Sequence, residues 1–313
     1  MNKKVACVTY FTDDRYDELS SNVKNSFSKF HANEADYIQI DYTNHKDYFN
    51  KWEHFTETND VGLNWMIHAY EIMIREKYTK IILLGCDTIV CDRLSEFIDD
   101  DSTPVLATLN YYIHEETEYW STPIIKYKTE AGEEVIDHLN INSDVICFNS
   151  PEALRRVIEL TIECYTIYTM QGGVNHLAWT DKSFDVKIVD SPYENSKVSY
   201  NVRSKGVPRA DMIENGKLKN CWPHNIHGFP YEWLAQRDLI DGYESPIKKW
   251  YIKDNKLFTH DHKQIKCFHF VEGLGGRPLE KFNYLIQDFK LNWFNKETIQ
   301  FFKEQCNCNT FFK

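Results

Sequence analysis

One carboxylate, Asp87, follows the most apolar run of the chain, the KIILLG of Lys80–Gly85. An unbroken Ile/Leu run suits a parallel strand buried on both faces, and a residue just beyond it stands at the edge where open α/β sheets take their ligands. There a carboxylate could bind a divalent cation through oxygen, and such a cation would neutralise a departing diphosphate. A helix N-cap or an ordinary loop aspartate would occupy the same place in sequence. Other residues carry chemistry by type. Asn142, Ser143 and Asp144 lie in LNINSDVICFN, where three polar residues interrupt an apolar strand pattern. A lone histidine, His269, sits in the apolar stretch Cys267–Phe270, a setting shared by structural histidines. Arg203, Lys205 and Arg209 in YNVRSKGVPR form a local basic cluster in an acidic chain, suited to phosphate or to a solvated loop. Trp120, Trp179, Trp222 and Trp233, near His224 and His227, offer aromatic faces that fit the C–H face of a sugar, although most such rings fill cores.

The elements that must position these residues alternate in type. Val5–Phe11 reads as a buried strand ending in a Thr-Asp-Asp turn, Asp17–Phe30 as a weak helix and Tyr37–Tyr42 as a second strand. After a plausible N-cap at Asn59 or Asp60, Leu63, Met66, Ile67, Tyr70, Met73 and Ile74 share one helical face. Lys80–Gly85 and Pro104–Leu109 add strands. This β-α-β-α-β order predicts an open parallel sheet with right-handed crossovers. Its ligand edge lies at two segments, Thr9–Tyr16 and Gly85–Asp92. Farther on, the pattern predicts a strand within His138–Asn149, a helix from Pro151 and a short helix over Gln171–Trp179. Residues 191–247 have no period and read as long loops over a site. Two or three short strands are expected over Trp250–Val271, with turns at Asp254-Asn255 and His260–Lys263. Helices are expected over Pro278–Phe289 and Lys296–Cys306.

Composition narrows the classes. A net charge of -11 argues against broad binding to nucleic acid or anionic membrane. The nine cysteines form no CxxC pair and several fall in apolar runs, which suits buried thiols in a reducing compartment. The apolar run from Ile81 to Cys91 is interrupted by Asp87 and falls short of the ~18 residues that a membrane span needs. The opening MNKKVACVTYFTDD has too short an apolar stretch and acidic residues where a cleavage site would stand. The expectation is a cytoplasmic protein. No repeat or linker divides the chain, so a single domain over 1–313 is expected. Its parts would be a nucleotide-binding half at 1–110, a donor-sugar and acceptor half at 111–275, and C-terminal helices at 276–313.

The segment LGCDTIVCDRL resembles the DxD region of retaining glycosyltransferases of the GT-A fold, above all the glycogenin-like family 8 group, which reads roughly LDADTIVLGDL. Asp87, Thr88, Ile89, Val90, Asp92 and Leu94 match, while Gly85 stands in place of the first aspartate. VTYFTDDRY is similar to the family's opening strand and turn, which implies that Thr9, Tyr10, Asp13 and Tyr16 hold the nucleoside. LNINSDVICFN resembles the FNxGVxxxN strand, so that Asn142 and Ser143 approach the donor and Asp144, in place of a glycine, meets sugar hydroxyls. CFHF followed by Gly273 and Arg277-Pro278 is similar to HFxGxxKPW. By that likeness His269 is a metal ligand beside Asp87, and Arg277 touches phosphate. Gln171 and Asn175 match the family's DQDxxN without its aspartates, which sets Gln171 near the anomeric carbon. The family's positive residue ahead of the third strand has no counterpart here; the aligned helix offers only Asn64 or His68.

The resemblance implies a GT-A fold, a central and mostly parallel sheet flanked by helices with a C-terminal strand and helix extension. It implies transfer of a hexose or pentose from a nucleoside diphosphate sugar, a UDP-hexose by family likeness, to an acceptor hydroxyl with retention. Mn2+ or Mg2+ is the expected cofactor. The acceptor would be a glycan, a protein, a lipid or a modified nucleobase. Two other classes remain: a non-catalytic nucleotide-sugar or glycan-binding protein, and a sugar-phosphate nucleotidyltransferase.

Overall fold

Strands and helices alternate from the first described residues onward. In the computed structural model the described residues are 4–11, 17–42, 54–55, 60–86, 88–109, 111–112, 120–121, 127–128, 134–135, 141–163, 169–190, 196–200, 202–203, 213–214, 217–218, 225–226, 229–230, 250–259, 262–269 and 296–308. Strand β1 (Val5–Phe11) leads into α1 (Asp17–His31), then β2 (Asp36–Asp41). Helix α2 (Val61–Arg75) starts where Asp60 accepts the Leu63 N–H at 2.7 Å, so the N-cap falls at the second of the two expected residues. Next come β3 (Lys80–Leu84), β4 (Thr88–Val90), the single-turn α3 (Ser95–Asp99) and β5 (Val105–Leu109). Four two-residue strands follow: β6 (Tyr111–Tyr112), β7 (Trp120–Ser121), β8 (Tyr127–Lys128) and β9 (Glu134–Val135). The chain continues through β10 (Ile141–Phe148), α4 (Pro151–Glu163) and α5 (Thr169–His176), which runs on as a π turn over Leu177–Asp181. Then come β11 (Val186–Ile188), β12 (Val198–Ser199), β13 (Val202–Arg203) and two small hairpins, β14 (Ile213–Glu214) with β15 (Lys217–Leu218) and β16 (Asn225–Ile226) with β17 (Phe229–Pro230). Last are β18 (Trp250–Lys253), β19 (Lys256–Thr259), β20 (Gln264–Ile265), β21 (Cys267–His269) and α6 (Lys296–Glu304).

The central sheet has the order β11-β5-β10-β3-β1-β2. β1 pairs in parallel with β2 and β3, and β11 with β5, whereas β10 runs antiparallel between β3 and β5. The sheet is therefore mixed and mostly parallel, with one reversed strand that the β-α-β pattern did not foretell. Both faces are covered. Ala6, Val8, Ile81, Leu83, Ala107 and Ile146 pack against α2, α4 and α5. Val5, Cys7, Ile82, Leu84, Leu106 and Cys147 point the other way, onto Val23 and Phe27 of α1 and Phe97 of α3. Two buried faces explain the unbroken apolar runs of β1 and β3.

A second sheet, β4-β21-β13-β6-β7, stands beside the first, and a third, β12-β20-β19-β18, carries the late hairpin. That hairpin turns at Asp254 and Asn255, both at positive φ (50° and 57°), the geometry that a two-residue turn demands. Residues 191–247 were expected as loops; their described parts include β12 to β17, and β13 is built into the second sheet. Two-residue strands carry no period for a sequence pattern to reveal. Behind the second sheet the ring of Phe302 on α6 meets Phe268 edge-on, centroids 5.4 Å apart. Asp190, wholly buried, ties the end of β5 to the link between β12 and β13 by accepting the Leu109 N–H (3.0 Å) and the Tyr200 N–H (3.2 Å). Burial pushes its carboxyl up to about 7. The described cysteines are free thiols, and all but Cys86 are buried. The expected helix over 278–289 lies outside the described residues.

Candidate functional site

The register of β1 against β3 sets Val8 opposite Leu83, which brings Thr9 and Tyr10 level with the end of β3. The chain then reverses: the Thr88 N–H donates to Gly85 O at 3.1 Å, and the Gly85 N–H donates to Asp144 O at 2.8 Å. Gly85 thus ties the carboxyl end of β3 to the middle of β10. β4 pairs antiparallel with β21, with Thr88 opposite His269. Two segments almost two hundred residues apart in sequence meet at this edge.

β10 is shaped to serve it. Asn142 pairs with Thr108 and Ile146 with Ala107, so Ser143, Asp144 and Val145 form a bulge. Bulges re-aim side chains and recur beside active sites. The Asn142 side chain accepts the Asp144 N–H at 2.8 Å, and Thr108 Oγ1 donates to Val145 O at 2.8 Å, so both ends of the bulge are held. Asp144 Oδ2 lies 3.8 Å from His269 Nε2, with His269 almost wholly buried and Asp144 about a quarter exposed. Beside them, Thr88 Oγ1 is buried with no hydrogen-bond partner among the described residues. An imidazole nitrogen and a carboxylate oxygen this close form a donor pair suited to a divalent cation. Among the described residues, no group of three or more such side chains is arranged to hold a metal.

Gln171 lies on helix α5. One turn later Asn175 accepts the Ile141 N–H (3.0 Å) and donates to Ile141 O (3.1 Å), pairing with the start of β10 as a neighbouring strand would. Trp179 Nε1 donates to the same Asn175 oxygen at 3.2 Å. Trp179 is thus a half-buried brace packed on the core. The two glycines after Gln171 lie within the helix. At Gly173 a Cβ would come within 2.0 Å of Thr161 Oγ1 and 2.6 Å of Val157 O, so glycine lets α5 approach α4 closely. Gly173→Ala is expected to destabilise the protein by about 1–3 kcal/mol, because a backbone carbonyl cannot swing aside. A urea midpoint unchanged from wild type would refute that close approach.

The remaining expected residues divide plainly. Thr9 is buried, and Tyr10 is half-buried with its ring 5.7 Å from Tyr42 and 4.8 Å from Trp65. Asn142 and Ser143 are buried in the bulge. Asp13, Tyr16, Asp87 and Arg277 lie outside the described residues, as do Lys205, Arg209, Trp222, His224, His227 and Trp233. Asp92, matched in the DxD-like segment, bonds Gln264 and Lys256. Asn64 and His68 of α2 are buried, and burial followed by the charge of Arg75 lowers His68 to about 4. His68 is neutral at pH 7 and cannot supply the missing positive charge.

What the sequence did not single out is Thr88 as the partner of His269, or β13 as the next strand; neither leaves a local signal. No protein-family model matches the chain, and no curated protein does. Solved structures with a similar course include a glycosyltransferase involved in glycosylation of the major capsid of PBCV-1, at 13% identity, covering 64% of this chain and 85% of its own, TM-score 0.39. The WbbM bifunctional glycosyltransferase is 12% identical over 87% of this chain and 46% of its own, TM-score 0.43. The galactosyltransferase LgtC, solved with donor and acceptor sugar analogues, is 14% identical over 95% of this chain and 99% of its own, TM-score 0.43.

Proposed function

We propose that the chain is a glycosyltransferase that moves a hexose or pentose from a nucleoside diphosphate sugar, with UDP-hexose the expected donor, to an acceptor hydroxyl with retention. The observation that carries this reading is the meeting of Gly85, Thr88, Asp144 and His269 at the carboxyl edge of the sheet. The four come from the segments that resemble the donor-binding motifs of GT-A enzymes, and the contacts join segments distant in sequence. A fold alone would not justify the assignment; the paired imidazole and carboxylate add support to it.

In this reading Thr9, Tyr10, Asp13 and Tyr16 hold the nucleoside at the end of β1. Asn142 and Ser143 fix the bulge that carries Asp144, whose partly exposed carboxylate hydrogen-bonds sugar hydroxyls. Asp87 and His269, with Asp144 at hand, would hold Mn2+ or Mg2+, which supplies positive charge to the departing diphosphate. Arg277 contacts the phosphates. Gln171 offers its side-chain carbonyl to the positive charge that develops at the anomeric carbon. The acceptor is a glycan, a protein, a lipid or a modified nucleobase. No described helix is long and apolar enough to cross a membrane, and a cytoplasmic location fits the free thiols.

The test is release of nucleoside diphosphate from a panel of nucleotide sugars, with and without Mn2+. Release of UDP from a UDP-hexose, increased by Mn2+, is the expected result. Binding of nucleotide sugars without release of any product, across donors and acceptors, would instead identify a binding protein. Pyrophosphate release from a nucleoside triphosphate and a sugar phosphate would identify a nucleotidyltransferase.

A further inference from the structure

The register of the second sheet carries one more residue to the site. β13 lies between β21 and β6, with Val202 opposite Phe268 and Arg203 opposite His269; on its other side Arg203 is opposite Tyr112. Thr88, His269, Arg203, Tyr112 and Trp120 therefore occupy one transverse row across β4, β21, β13, β6 and β7. Adjacent strands stand about 4.8 Å apart, so the Arg203 backbone is one strand from the imidazole.

We infer that Arg203 is a further fixed cation that binds the diphosphate of the donor, in addition to Arg277, and that it stands in for the positive residue missing from α2. The inference rests on the glycosyltransferase reading and extends it to a residue of this chain.

Three observations converge on it. First, a diphosphate at this edge meets the Asp144 carboxylate, and the Asp87 carboxylate as well if that residue serves as proposed. The local negative charge then exceeds what a single divalent cation offsets. Second, neither aligned position of α2 supplies a positive charge: Asn64 has none and buried His68 is neutral. Third, several cations among the described residues already have carboxylate partners. Arg93 pairs with Glu34 and Asp99, Lys256 and Lys266 lie beside Asp92, and Arg156 pairs with Asp181. A guanidinium suits the task because its planar fork binds phosphate oxygens in pairs. Of the basic cluster Arg203, Lys205 and Arg209, Arg203 is the member among the described residues, and its register sets it opposite His269.

The experiment measures binding of UDP and of inorganic pyrophosphate by calorimetry, in low salt with Mn2+. The proteins are wild type, Arg203→Gln, Arg203→Lys, Lys205→Gln and Arg209→Gln. Arg203→Gln should weaken both probes on the order of 10–100-fold. Arg203→Lys, which keeps the charge and loses the fork, should weaken them less and should fold even if the glutamine variant does not. The two control variants should lie within about 3-fold of wild type. The inference is overturned if both Arg203 variants bind UDP as tightly as wild type, or if all three glutamine variants lose affinity equally, which would mark a diffuse field. Should wild type bind neither UDP nor pyrophosphate, the glycosyltransferase reading itself fails, a result distinct from either of these.

Discussion

His269→Gln is expected to lower sugar transfer and donor hydrolysis on the order of 100-fold or more while leaving the fold intact. Glutamine is close in volume and keeps a polar end, so the strand β21 retains its pairing with β4 and its packing on α6. It removes the imidazole nitrogen that stands 3.8 Å from Asp144 and with it a donor for a divalent cation. Stimulation by Mn2+ should weaken together with the rate. Phe268→Leu provides the contrast: it loosens the contact with Phe302 and should lower stability without a comparable loss of turnover. If His269 were only a filler of the apolar strand, both variants would lose activity in proportion to their loss of stability. Full turnover by a folded His269→Gln enzyme would remove the imidazole from the mechanism.

The second large effect concerns stability. Lys80 opens β3 and is buried, with 1% of its surface exposed. Its ammonium donates to the carbonyls of Phe97, Ile98 (3.0 Å) and Asp100 (2.8 Å), and it pairs with Asp101 at 3.0 Å. These carbonyls belong to the last residues of α3 and the one after it, groups that no intrahelical N–H can reach. The lysine thus caps the negative end of the helix from below. Lys80→Met preserves length and removes every donor, leaving buried carbonyls unsatisfied. A loss of about 3–5 kcal/mol is expected, read as a lower urea midpoint with unchanged slope. Asp101 is mostly exposed, so Asp101→Asn should cost less than about 1 kcal/mol. Equal stability of Lys80→Met and wild type would mean that water satisfies those carbonyls.

Much of this protein was legible before any coordinates. The Ile/Leu run of β3 announced burial on both faces, and the spacing Leu63, Met66, Ile67, Tyr70 announced α2, because local period and capping chemistry act within a few residues. The motif-bearing segments named Asp144, Gln171 and His269 as candidates. The sequence did not disclose that β10 runs against its neighbours, that a three-residue bulge carries Asp144, or that Gly173 serves a helix crossing. Nor did it place Arg203 one strand from His269. Each of those facts is a contact between residues far apart in the chain. Strand direction, bulge position and partner choice are decided by which apolar faces can be buried together and which backbone groups then find donors and acceptors. Residue types set what chemistry this chain can do; only the tertiary arrangement of Gly85, Thr88, Asp144 and His269 gathers that chemistry at one edge.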